Sequence, residues 1–419
     1  MYRLIFIVLL LAFQSLNAQT TENVIFESGD LTLIGTVYTP DGEGPFPVVV
    51  IVHGSGPTNR NGLVNIVGPV NQCLYPELVN QQFNPYSDIA EHLSSRGIMV
   101  FSYDKRTATH PALLNPVTVT PYDFIDDVHS AIDFIKLREG ADQDCIVLAG
   151  HSQGAGFIPI VAQERNDITG LISLAGTTQA IDTVVAEQNL KAYRDCFGLE
   201  DEGLQIQMDL LNTFAAVRAG NFGLNQPIEV LFPGQAQLTN LGFPTFWLDW
   251  IEITESVVDN YLAANKSTLI IHGDDDFNVD HEDSNELSEA LLGSITETHI
   301  YPDVNHFFTD GTTVDISEEI LLDIENWILN VKEEVVSTQN INKDDPSIKI
   351  SNTQDLIKVE VIAGDYEELV IYDLNGRLLR SIAIKDKNEI IIDKLDAQGM
   401  VIFNFLGEVQ MSSRKVFSK

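Results

Sequence analysis

Gly150-His151-Ser152-Gln153-Gly154 sets a serine hydroxyl between two glycines, after the apolar run Cys145-Ile146-Val147-Leu148-Ala149 and before helix-compatible sequence. On a tight strand-to-helix turn such a serine stands clear of the sheet, and the glycines leave room for a strained backbone. The first N–H groups of the following helix point at any oxyanion that forms beside it. The chemistry this suits is acyl transfer through a serine nucleophile, which needs a base to take the hydroxyl proton and an acid to orient the base. A G-x-S-x-G string also arises by accident, so the surrounding elements have to carry the argument.

Those elements follow in order. Pro47 to Val52 reads as a buried strand running into the glycine-rich loop His53-Gly54-Ser55-Gly56-Pro57, which can offer an oxyanion donor. Ser267 to Ile271 is a strand that ends in His272-Gly273-Asp274-Asp275-Asp276, and Thr298 to Tyr301 is another that leads to Asn305-His306. Each candidate lies just past the carboxyl end of a strand, where parallel sheets place their chemistry. The order nucleophile, acid, histidine is the one an α/β-hydrolase requires.

With these residues the sequence resembles the α/β-hydrolase superfamily, and within it the secreted esterases and dienelactone-hydrolase-like enzymes. The matching motifs are His53 to Pro57, Tyr103-Asp104-Lys105-Arg106, Gly150 to Gly154, His272 to Asp276 and Asn305-His306, spread over about residues 23 to 332. The resemblance implies a mostly parallel eight-stranded sheet with helices on both faces and a helical cap. It also implies Ser152 as nucleophile, Asp276 as acid and His306 as base. The backbone N–H groups of Ser55, by analogy with related loops, and of Gln153, from the elbow itself, are the expected oxyanion donors. Asp274, Asp275 and Asp280 compete with Asp276 for the acid; Asp280 is explained as a helix cap, and Asp276 has the spacing the resemblance implies. Tyr103 to Arg106 reads as a segment that braces loops by ion pairing. One departure is the stretch Asn61 to Pro85 between the oxyanion loop and the next helix, which is longer than the family norm.

Arg3, the apolar run Leu4 to Phe13 and the polar residues ending at Asn17-Ala18 read as a secretory signal over residues 1–18. Ten apolar residues are too few to span a bilayer. An exported protein is therefore expected, released or at the cell surface, with a hydrolase domain over 19–335. Of the three cysteines, Cys145 begins the strand before the elbow and reads as core, while Cys73 in the long stretch and Cys196 in the cap are left as a pair that sequence alone neither joins nor separates. No Cys or His cluster has metal-ligand spacing, and the expected chemistry calls on no cofactor.

The net charge of −37 argues against nucleic acid and anionic membrane surfaces as partners. The partner expected from the hydrolase reading is a small-molecule or carbohydrate ester substrate. Residues 336–419 hold 11 Lys and Arg against 13 Asp and Glu, whereas the rest holds 13 against 48. That contrast, with the polar stretch 336–346 read as a linker, sets off 347–419 as a second domain of short alternating strands, a small all-β sandwich. Asn375-Gly376 supplies a hairpin turn within it. Ile371-Tyr372-Asp373 with Gly376, then Gly399, Arg414-Lys415 and Lys419, is similar to the sorting domain of type IX secretion cargo, which implies the secretion machinery as a partner. A carbohydrate-binding or packing sandwich is the other reading of the same pattern.

Between about 177 and 265 the strand-helix rhythm stops. Helical stretches and the aromatic segment Phe243, Phe246, Trp247 and Trp250 are expected to form a cap over Ser152. The aromatics either roof a substrate pocket or fill the cap's own core. The function that follows is cleavage of short-chain carboxylic esters of aryl or carbohydrate alcohols through an acyl-enzyme. An acyl-peptide or dipeptide hydrolase on the same scaffold and a non-catalytic binding protein are the alternatives.

Overall fold

The computed structural model describes residues 19–292, 296–342, 348–352, 356–361, 366–373, 378–385, 389–393, 399–407 and 411–418. The segment read as a signal, 1–18, lies outside them. By their contacts the residues divide into two units, one ending at Val331 and one beginning at Lys332.

The first unit is built on an eight-stranded sheet. Its strands are β1 (Thr20–Ser28), β2 (Leu31–Thr39), β3 (Phe46–Val52), β4 (Met99–Tyr103), β5 (Ala141–His151), β6 (Ile168–Leu174), β9 (Ser267–Gly273) and β10 (Thr296–Tyr301), in the order β1-β2-β4-β3-β5-β6-β9-β10. β1, β2 and β4 pair antiparallel, and from β4 to β10 every pairing is parallel. Apolar β-branched runs make the central strands because both faces are covered. Along β3, Val48, Val50 and Val52 enter one core cluster and Val49 and Ile51 the other, as the two-residue side-chain period requires.

One face is covered by α4 (Pro121–Ile135), α5 (Gln153–Glu164) and α10 (Glu282–Ala290), the other by α2 (Pro85–Ser95) and α11 (Glu318–Asn342). Phe124, Val128, Ala131, Ile132 and Ile135 form the buried stripe of α4, and Ile320, Ile324, Trp327, Ile328 and Val331 that of α11. α4 starts at a capping box, with the Thr120 N–H donated to Asp123 Oδ2 at 2.8 Å. Short α3 (Arg106–Thr109) follows β4, and the stretch 61–85 carries α1 (Gly68–Leu74) and a 3-10 turn, Pro76–Leu78.

Between β6 and β9 lie α6 (Ile181–Lys191), a π turn Ala192–Cys196, α7 (Glu200–Arg218), the two-residue strands β7 (Glu229–Val230) and β8 (Thr239–Asn240), α8 (Pro244–Glu255) and α9 (Val257–Ala264). They form a cap with its own core, in which Ile206, Leu210 and Phe214 of α7 pack against Trp247, Trp250 and Ile251 of α8. The cap is shorter than the span 177–265. α9 belongs to the main core, since Val257, Tyr261 and Ala264 pack there and the Tyr261 hydroxyl donates to Ala155 O at 2.9 Å. Cys73 and Cys196 are joined in a disulfide with Cα atoms 5.8 Å apart, which ties α1 to the cap.

Residues 336–342 correct the linker reading at its start, for they continue α11. No glycine or proline interrupts the chain between Val331 and Asn342, so nothing breaks the helix over that stretch. The rest of that stretch, 343–346, lies outside the described residues.

The second unit holds a three-stranded sheet of β11 (Ile348–Asn352), β12 (Leu356–Val361) and β15 (Glu389–Asp393). A four-stranded sheet holds β13 (Tyr366–Asp373), β14 (Leu378–Ala383), β16 (Gly399–Gly407) and β17 (Met411–Ser418), in the order β14-β13-β16-β17. Val359 and Ile392 from the first and Leu369, Ile371 and Phe403 from the second share one core. β13 and β14 pair antiparallel. The turn residues Asn375 and Gly376, like Lys419, fall outside the described residues.

Candidate active site

Four parallel strands of the sheet, β3 and β5 on one side of β6 and β9 and β10 on the other, deliver Ser55, Ser152, Asp276 and His306 from their carboxyl ends. The β5 strand stops at His151 and α5 begins at Gln153, so Ser152 alone makes the turn, at φ 53° and ψ −115°. That strained conformation is held by close contact. A Cβ on Gly154 would sit 2.3 Å from Val52 O, and one on Gly150 would sit 2.5 Å from Gly154 O. The Ser152 N–H is spent on Leu174 O at 2.8 Å. The Gln153 N–H opens the helix, where no acceptor one turn back exists.

Asp276 is buried, and its two oxygens have separate duties. Oδ1 accepts the backbone N–H groups of Asn278 (2.7 Å) and Val279 (3.0 Å), while Oδ2 accepts His306 Nδ1–H (2.6 Å) and His272 Nε2–H (3.0 Å). Burial pushes this carboxyl up, but the two imidazoles and their hydrogen bonds outweigh it and hold the group well below the usual carboxylate range. A carboxylate only accepts, so both histidine tautomers are fixed. His306 carries its proton on Nδ1 and keeps a lone pair on Nε2. His272 accepts the Ser284 hydroxyl on Nδ1 at 2.6 Å. Asp274 and Asp275 are exposed.

A second relay runs from the oxyanion loop to the His306 backbone. The Gly54 N–H donates to the Tyr86 oxygen (3.0 Å), the Tyr86 O–H donates to His151 Nδ1 (3.0 Å), and His151 Nε2–H donates to His306 O (3.0 Å). Burial, with His306 adding to it, lowers His151 to about 3, which keeps the ring neutral and able to do both. Asn305 anchors the same loop through its amide N–H to Glu77 Oε1 at 3.0 Å, so the stretch 61–85 also steadies the histidine. The Tyr103 to Arg106 segment braces as its charges suggest, through Asp104 with Arg60 and Arg106 with Asp123 and Asp127.

Ser152 and His306 line two cavities that meet at them. One, about 430 Å³, is walled by the stretch 61–85, including Asn65, Asn71 and Tyr75. The other, about 290 Å³, is walled by the cap, with Ile181, Val184, Trp247 and Trp250. Ser55 and Asn278 line both. Trp247 and Trp250 therefore serve cap core and pocket together. Phe243 and Phe246 correct the expected roof, because they line a different cavity beside Val119. Trp247, Trp250 and Thr254 share one face of α8, and Phe246 is turned from it toward Phe124, with ring centroids 6.0 Å apart. Sequence reading missed Tyr86, for which no motif exists, and the positioning roles of His151 and His272, whose signal was their place inside the motifs.

The sheet, the single-residue elbow and the loops at the strand ends define an α/β-hydrolase fold. Residues 79–310 match the family model described as serine aminopeptidase, S33, and the chain belongs to that family. It is 36% identical over 291 residues to Esterase EstD of Thermotoga maritima, an alignment covering 68% of this chain and 61% of that protein. Among solved structures it is similar to Est1E from Butyrivibrio proteoclasticus, at 18% identity and a TM-score of 0.46, over 74% of this chain and 99% of that one. It is also similar to Pyrococcus furiosus esterase Pf2001, at 14% identity and 0.44, over 74% and 93%.

Proposed function

We propose that this chain is a serine carboxylic-ester hydrolase that turns over neutral short-chain esters of aryl or carbohydrate alcohols. His306 Nε2 takes the Ser152 proton as Oγ attacks the ester carbon, and Asp276 stabilises the resulting imidazolium. The Ser55 and Gln153 N–H groups receive the oxyanion. His306 then passes its proton to the departing alcohol, and water, deprotonated by the same nitrogen, releases the acid and regenerates Ser152.

The observation that carries the reading is the forced tautomer of His306, which leaves Nε2 as an acceptor in the cavity that Ser152 lines. The similarity to an esterase supports the substrate class. An aminopeptidase has to hold a free ammonium, and neither cavity has a carboxylate among its described lining residues. Aryl acetates and butyrates are therefore expected to give kcat/KM at least about 100-fold above amino-acid anilides, since amide cleavage asks more of leaving-group protonation. Anilide values equal to the ester values would move the protein to the peptidase class.

Export by residues 1–18 and type IX sorting by 347–419 complete the proposal, with the −37 charge disfavouring nucleic acid and anionic membranes as partners. No helix among the described residues is long and apolar enough to cross a membrane. A chain ending at Glu334 keeps the buried stripe of α11 and every proposed catalytic residue. It is expected to hydrolyse esters with kcat/KM within about twofold of the full chain, but to stay inside cells of a type IX background. Export at full yield would refute the sorting role.

A further inference from the structure

Lys105 is a buried cation that the mechanism above leaves unused. It is 3% exposed, beneath the oxyanion loop and the elbow. Its Nζ donates to Gly54 O at 2.9 Å and to Gln153 Oε1 at 2.6 Å, and lies 4.4 Å from the centroid of the Phe124 ring. Gly54 O and the Ser55 N–H belong to one peptide group. A positive charge on the carbonyl oxygen withdraws electrons through the amide and makes the N–H at its other end a stronger donor. The same ammonium holds the side chain of Gln153, whose N–H forms the opposite wall.

We propose that Lys105 is a positioning residue that polarises the Gly54-Ser55 peptide and clamps it to Gln153, so that both oxyanion donors are aimed and strengthened by one buried charge. This rests on the ester-hydrolase reading above and extends it to the residue that tunes the oxyanion hole. The charged groups around Lys105 are Asp127 of α4 and its neighbours Asp104, paired with Arg60, and Arg106, paired with Asp123 and Asp127. His53, the titratable group of the oxyanion loop, is lowered to about 3 by burial and by Lys105 itself, so it stays neutral. Burial lowers Lys105 to about 7, with Asp127 opposing, so the charge is present below neutrality and withdrawn above it.

The test is the full chain carrying Lys105→Met, measured beside wild type from pH 6 to 9 with an aryl butyrate and with an alkyl trifluoromethyl ketone, which forms a tetrahedral oxyanion on the serine. The expected result at pH 6 is a loss of about 10- to 100-fold in both kcat and ketone affinity, a fraction of what removing an oxyanion donor costs, with KM within about threefold. The ratio of wild type to variant should shrink as the pH rises to 9. Lys105→Gln, which keeps a donor without a charge, should recover only part of the loss. Equal losses in KM and kcat with a constant ratio across pH would mean a merely structural lysine and overturn the proposal, as would unchanged ketone affinity. If Lys105→Met does not fold, the comparison with Lys105→Gln decides by the same criteria. If neither folds, Gln153→Met, which keeps the backbone donor and removes the side chain that Lys105 clamps, decides, and a ketone affinity equal to that of wild type overturns the proposal. Failure of wild type to bind the ketone, or binding that survives Ser152→Ala, would instead overturn the ester-hydrolase reading.

Discussion

Ser152→Ala is expected to lower kcat for ester cleavage by at least about 10⁴-fold, because it removes the proposed nucleophile and triad members act as a unit. The change removes one oxygen and leaves the Cβ in place, so the strained φ of 53° costs alanine what it costs serine. The thermal midpoint should stay within a few degrees. That separates chemistry from folding more cleanly than His306→Ala, which should be as inactive but also leaves the Asp276 carboxylate buried with one of its two imidazole donors gone. Turnover by folded Ser152→Ala above about a tenth of wild type would end the serine mechanism.

Asp276→Asn is expected to cost about 10³- to 10⁴-fold in kcat through the wrong tautomer rather than lost structure. Asn278 and Val279 both donate to the Oδ1 position, which therefore has to be taken by the amide oxygen. The amide nitrogen is then forced to the Oδ2 position, where it meets two histidine N–H groups. His306 has to move its proton to Nε2 to accept that donor, and so loses the lone pair that would activate Ser152. Asp274→Asn and Asp275→Asn, both exposed, should stay within about threefold of wild type. A pH-rate profile and kcat for the three variants decide the assignment. Comparable losses in all three would mean that the acidic turn acts by its summed charge.

Motif spacing and buried apolar runs determine a good deal of this protein before any tertiary contact is considered. The sheet is legible because Val48 to Val52 and Ser267 to Ile271 cannot be solvated, and the strand-end loops then place Ser152, Asp276 and His306 together by topology alone. The resemblance to a known family added the eight strands and the choice of Asp276 among neighbouring aspartates. Contacts between distant segments that no strand-end motif announces were not legible. Sequence left the partners of Cys73 and Cys196 open because a disulfide is decided by a Cα separation of a few ångströms between segments 123 residues apart. It treated Phe243, Phe246, Trp247 and Trp250 as one group, pocket roof or cap core, because an aromatic cluster does not disclose which way each ring turns at α8. It marked Lys105 as one of several bracing charges, and only packing beneath two separate loops set its ammonium on Gly54 and Gln153. The same holds for the relay through Tyr86 and His151. Hydrogen bonds across the fold depend on where backbones converge, which local pattern does not encode and the tertiary structure fixes.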